Sequence, residues 1–175
     1  MADAAAAAER ACASGGSLVA GPLEIPAVGR IAVLRDASRA RISAYQPRAA
    51  LQPPQGMFAW DELQSGDLAA AADFYGAVFG WQSRTVEMGS RGAYTVFSVG
   101  GRDVAGCAAP LAGGPPQWLT YLATADVDGA TDRARELGAT VEVGPTSIAG
   151  VGRFSLLSDP AGAAFGLYRA EALAG

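Results

Sequence analysis

GPLEIPAVGR, residues 21–30, returns as GPTSIAGVGR at residues 144–153, and the spacing G-P-x-x-I-x-x-V-G-R is kept without a gap. Worked outward, the match runs from Asp3–Gln46 over Asp126–Arg169 at a constant offset of 123, with fifteen identical pairs in 44 positions. Asp3/Asp126, Arg10/Arg133, Gly15/Gly138, Leu34/Leu157, Asp36/Asp159 and Tyr45/Tyr168 extend it on both sides of the core motif. An internal repeat constrains fold class before any local pattern does, because each copy must be the same structural motif.

The segments around the repeat alternate between two periodicities. Asp3 is placed to cap a helix through about Ala13, closed by Gly15-Gly16, and short strands follow at 18–21, 30–35 and 40–46, with turns at Gly21-Pro22 and Asp36–Arg39. Residues 47–56, PRAALQPPQG, are proline-rich and aperiodic, as a linker is. Met57–Gln64 alternates as a strand. Asp67 caps LAAAADFYGAVF, whose Leu68, Ala71, Ala72, Tyr75, Val78 and Phe79 form one apolar helical face ended by Gly80. Strands are expected near 82–87, 93–99 and 104–108. After APLAGGPP (109–116) the pattern recurs: strand 118–124, a helix from the Asp126 cap to Gly138, and strands near 140–143, 153–158 and 163–168. The fold class is therefore α+β, built of βαβββ motifs. Residues 57–110 and 117–170 are one such motif each and together one complete module; residues 1–46 are a partial module, the second motif without its opening strand.

Composition narrows the chemistry. The chain of 175 residues has a net charge of −4 and no histidine. Every one of its 13 basic residues is arginine, and they are dispersed, which argues against nucleic acid. Without histidine or lysine it has neither the commonest general base and metal ligand nor a Schiff-base or P-loop amine. Cys12 and Cys107 have no CxxC spacing and read as buried free thiols. No stretch is apolar and long enough to span a membrane, and the alanine-rich start, broken by Asp3, Glu9 and Arg10, is unlike a signal peptide; the expectation is a cytoplasmic protein.

MFAWDELQSGDLAAAADFYGAVFGW (57–81) resembles the opening of vicinal oxygen chelate domains, the glyoxalase, bleomycin-resistance and extradiol-dioxygenase superfamily. WLTYLATADVDGATDRARELGATV (118–141) and the D-P-x-G turn at Asp159–Gly162 resemble its second half, and the order of modules is similar to tandem two-module members with a truncated first module. The resemblance implies two βαβββ motifs whose curved sheet encloses a cleft. Period-2 alternation then turns Leu63 toward its helix and Trp60, Glu62 and Gln64 toward the cleft, with Leu119, Tyr121 and Ala123 facing it from the other motif. In metal-dependent relatives the ligands sit on the first and last strands of each motif. Those positions fall here on Trp60, Leu119, Gly106 and Gly166, and on Ser43 in the N-terminal copy; a two-residue slip would bring in Glu62 alone. None of the four is a usual ligand for a divalent ion. The expectation is no metal and no cofactor, and with them no metal-dependent glyoxalase or dioxygenase chemistry.

The resulting ligand-binding candidates are Trp60, Glu62, Gln64, Tyr94 and Tyr121, with Glu62 the one weak catalytic candidate. Three functions fit them: metal-independent binding of a small organic molecule, acid–base catalysis by Glu62 and Tyr121 (lyase, isomerase or hydroxylase-like), or a filled, non-catalytic interaction module. Arg30 and Arg153 are expected to tie their turns to a carbonyl or carboxylate, and Cys107 to point away from the cleft. The incomplete copy has two readings: a homodimer joined through residues 1–46, or a reading frame that starts late.

Overall fold

The computed structural model describes residues 3–48, 57–89, 92–110 and 113–171. The linker expected at 47–56 falls outside them from residue 49 onward, as do residues 111 and 112 of the second connector. The described residues divide into two compact units, the first holding 3–48, 63–89, 92–110 and 114–118, the second 57–62, 113 and 119–171.

In the first unit, helix α1 (Ala4–Ala13) is followed by strands β1 (Ser17–Ile25), β2 (Gly29–Arg35) and β3 (Arg41–Pro47), hydrogen-bonded in the order β1-β2-β3. The Asp3 carboxylate accepts from the amides of Ala5 and Ala6 and fixes the start of α1. Ala4, Ala7, Ala8 and Ala11 are buried, an i, i+3, i+4 stripe of methyl groups that permits close approach to α2 (Leu68–Phe79) and to the three-stranded sheet. Helix α2 is capped by Asp67 and closed by Gly80 at φ 70°. It precedes β5 (Gln82–Glu87), β6 (Ala93–Val99) and β7 (Arg102–Ala108), an antiparallel run in that order. Strand β4 (Phe58–Gln64) lies next to β7, and Ser65 just beyond it donates its amide to Ala108 O at 2.9 Å.

The F-Y…F-G-W residues build the core of this unit. Tyr75 stacks on Trp81 and Phe79, with centroids at 5.2 and 5.9 Å, and meets Phe74 edge-on at 5.2 Å. Leu63 is buried with them, as expected for the helix-facing position of β4. Cys107 is buried in the same cluster, pointing away from the alternate face of its strand.

In the second unit, β8 (Gln117–Ala123, from Leu119 onward) leads into α3 (Val127–Glu136), β9 (Thr140–Ile148), β10 (Gly152–Ser158) and β11 (Ala164–Ala170). The strand order is β4-β8-β11-β10-β9, with β11 parallel to β8 in the register Gly166↔Tyr121 and antiparallel to β10. Parallel neighbours need a long crossover, which α3, β9 and β10 provide.

The bounds of α1, β1, β2 and β3 each fall 123 residues before those of α3, β9, β10 and β11. Matching bonds recur: Tyr45 Oη donates to Val28 O at 3.0 Å and Tyr168 Oη to Val151 O at 2.8 Å. Asp36 and Asp159 each accept from the amide four residues on. Among the described residues β3 pairs with β2 alone, whereas β11 lies between β10 and β8.

Two expectations need correction. The chain does not turn at Gly21-Pro22: β1 runs through the pair to Ile25, with one register shift against β2 before the pair and one across it. Gly21 at φ 92° and a proline without an N–H locally interrupt the ladder, and the strand absorbs this as an irregularity. Cys12 is a free thiol but an exposed one, since it falls off the Ala4/Ala7/Ala8/Ala11 stripe.

Candidate functional site

Three of the five candidate ligand residues come together in the second unit. On β4, Asp61 points to the opposite face, where its carboxylate accepts from Thr120 Oγ1 at 2.6 Å. This alternation turns Trp60 and Glu62 to the same side as Tyr121 of β8. Trp60, half-buried, packs in a cluster with Leu119, Tyr121, Phe154 and Leu156, against which Tyr168 also lies. The Tyr121 ring meets Phe154 and Tyr168 edge-on, with centroids at 6.3 and 6.5 Å. Glu62, only 8% exposed, accepts a hydrogen bond from Tyr121 Oη at 3.2 Å. Burial raises the Tyr168 hydroxyl above the ordinary tyrosine range, so it stays a neutral donor to Val151 O.

Gln64 and Tyr94 belong to the first unit. Gln64 is buried and its side-chain oxygen accepts from Gln117 Nε2 at 3.4 Å. Tyr94 of β6 is half-buried and lies over Gly106 of β7, where its hydroxyl occupies the place a Cβ on residue 106 would take.

Phe154, Leu156 and Tyr168 are site residues that the sequence reading did not single out. The signal was there: Phe154 and Leu156 alternate with Ser155, whose hydroxyl faces Thr131 of α3 at 2.7 Å, so the pair must face the other side.

The positions where metal-dependent relatives hold an ion do not fit one. Trp60 and Leu119 are apolar at the first-strand positions. On the last strands, Gly106 is covered by the Tyr94 hydroxyl and Gly166 by the Tyr121 ring, so a ligand-length side chain at either would displace a tyrosine. Among the described residues no three His, Cys, Asp or Glu side chains gather into a group able to hold a metal.

The first unit has a second polar network. Tyr75, fully buried, donates to Asp36 Oδ2 at 2.9 Å and accepts from Trp118 Nε1 at 2.8 Å. Asp36 Oδ1 accepts from Ser38 Oγ and the Ala40 amide. Burial first, then the Asp36 charge, drive the Tyr75 hydroxyl far above its usual range. The two arginines of the repeat are tied as expected: Arg30 to Glu24 at 3.4 Å, and Arg153 to both oxygens of Asp128 at 2.6 Å.

The βαβββ strand order and this site geometry define the class. The profile of the Glyoxalase/Bleomycin resistance protein/Dioxygenase superfamily matches residues 57–167, and the chain belongs to that superfamily. It is similar to the anthracycline biosynthesis protein DnrV of Streptomyces peucetius, 38% identical over 135 residues that make up 69% of this chain and 49% of DnrV. It is also similar to the glyoxylase candidate CFP32 of Mycobacterium tuberculosis, 32% identical over 160 residues, 89% of this chain and 61% of that protein. The chain thus spans about half to three-fifths of the length of these relatives. The 2,3-dioxygenase LapB of Pseudomonas sp. KL28 shares the fold at TM-score 0.56 and 13% identity, over 93% of this chain and 65% of LapB.

Proposed function

We propose that the module at residues 57–170 binds a small, planar organic molecule without a metal, with Trp60, Tyr121, Phe154 and Tyr168 contacting its rings and Glu62 accepting a donor from it. The observation that carries this is Glu62 itself. Its carboxylate is 8% exposed and is held by the Tyr121 hydroxyl, whose ring belongs to the aromatic cluster, and a polar group fixed beside an apolar surface orients a ligand. The family relatives named for anthracycline biosynthesis support a polycyclic aromatic ligand class.

A thermal-shift screen with hydroxylated naphthoquinones and anthraquinones, run with and without EDTA, tests the reading. A shift that persists in EDTA supports it. A shift that EDTA abolishes, or none from any planar aromatic, overturns it.

The Tyr121–Glu62 hydrogen bond favours a second reading, metal-free acid–base catalysis. Glu62→Gln separates the two: a binding protein loses part of its affinity and has no turnover to lose, whereas an acid–base enzyme loses turnover with its affinity little changed.

We further propose that residues 1–46 pair with their counterpart in a second chain. Leu18, Val19, Leu23 and Ile25 leave β1 with an exposed apolar surface that such pairing would cover.

A further inference from the structure

We propose a second binding site, in the first unit, for a small phosphorylated molecule carrying a flat ring. A cavity of about 460 Å³ there is lined by Arg35, Arg39, Arg41, Pro116, Gln117 and Trp118, within the size range of small-ligand pockets. Three guanidinium groups around one cavity are unexpected in a chain of net charge −4.

The arginines are available. Most other described arginines are engaged: Arg30, Arg48, Arg84, Arg133, Arg135 and Arg153 pair with carboxylates. Arg10 and Arg169 donate to backbone carbonyls. Among the described residues, Arg35, Arg39 and Arg41 share no ion pair or hydrogen bond of that kind. Asp36, their nearest carboxylate in sequence, is turned inward at 3% exposure and is held by Tyr75, Ser38 and Ala40.

The repeat supplies an internal control. At an offset of 123 the three arginines correspond to Ser158, Gly162 and Ala164, while the turn-forming aspartate is kept as Asp159. The turn needs none of the three. It is even strained by one: Arg39 takes φ 80°, where its counterpart Gly162 takes φ 86° without penalty. A long cationic side chain kept in a conformation that favours glycine marks a site with a use beyond folding.

Trp118 completes the pocket. Its N–H bond to Tyr75 and its edge contacts with Tyr75 and Trp81 hold the indole in place. A fixed indole in a pocket lined by three arginines without a carboxylate partner matches an aromatic phosphate, since arginine forks bind phosphate oxygens in pairs and the ring offers stacking surface.

Calorimetric titration of the full chain with 1-naphthyl phosphate tests this, with 1-naphthol and inorganic phosphate as part-probes. The phosphate ester is expected to bind more tightly than either. R39G and R41A, which install the residues of the sister motif, should each weaken it by about tenfold or more, the loss expected for a charge-assisted contact, without lowering Tm. R102A, an exposed arginine on β7, should leave the affinity unchanged. Equal affinity in R39G and wild type, an equal loss in R102A, or 1-naphthol binding as tightly as its phosphate would each overturn the proposal.

Discussion

Replacing Tyr75 by phenylalanine removes a single oxygen atom, and the structure sets the cost. The ring stays in its aromatic cluster, so no apolar contact is lost. Asp36 loses its 2.9 Å donor while keeping Ser38 and Ala40 at 2.8 and 2.9 Å. A buried carboxylate losing one of three donors costs roughly 1.5–3 kcal/mol. Trp118 loses its 2.8 Å acceptor, but the half-buried indole N–H can reach water, which adds about 0.5–1 kcal/mol. The expected destabilisation is about 2–4 kcal/mol, or roughly 5–15 °C in Tm for a chain of this size. The assay is urea denaturation followed by tryptophan fluorescence, combined with Asp36→Asn in a double-mutant cycle. A coupling energy of about 1–3 kcal/mol is expected for groups in direct contact. A Tyr75→Phe shift under about 2 °C in Tm, or no coupling to Asp36, would refute the reasoning.

The two site glycines should respond differently to alanine. Gly166→Ala drives a methyl into the buried, edge-packed Tyr121 ring and should cost about 1–3 kcal/mol by thermal denaturation, whereas Gly106→Ala meets the outer end of half-buried Tyr94, which can swing aside, and should cost less. Stability should be flat between about pH 5 and 8, because the chain has no histidine. Asp3, Asp103, Asp128 and Glu24 are held below their ordinary values of 3.8 and 4.5, the first by backbone donors and the others by Arg84, Arg153 and Arg48. Their contribution is complete above those values and is lost as pH falls through the depressed ones, so Tm measured against pH should drop only on the acid side. Sedimentation at tens of micromolar should show a dimer, and a monomer at that concentration contradicts pairing through residues 1–46.

Much of the architecture was legible because local and periodic signals agreed. The Asp3, Asp67 and Asp126 caps mark the starts of α1, α2 and α3, and the offset of 123 carries the element bounds across the chain. One alternation on β4 separates Leu63 from Trp60 and Glu62. What escaped is what tertiary context decides. Gly21-Pro22 reads locally as a turn, yet pairing with β2 carries the strand through it. Tyr168 sits on a strand with apolar residues on both faces, so composition does not show which face meets Trp60. The arginine pocket depends on bringing residues 35–41 against Trp118, a distance of more than seventy positions that no local pattern encodes.

The account rests most heavily on the claim that apolar residues and tyrosine-covered glycines occupy the positions where the family resemblance places metal ligands. Metal content of the protein, purified without chelator from cells grown with added zinc, iron, manganese and nickel, tests it directly by elemental mass spectrometry. Far less than one equivalent of any divalent ion per chain is the predicted result. One equivalent retained through gel filtration would contradict it.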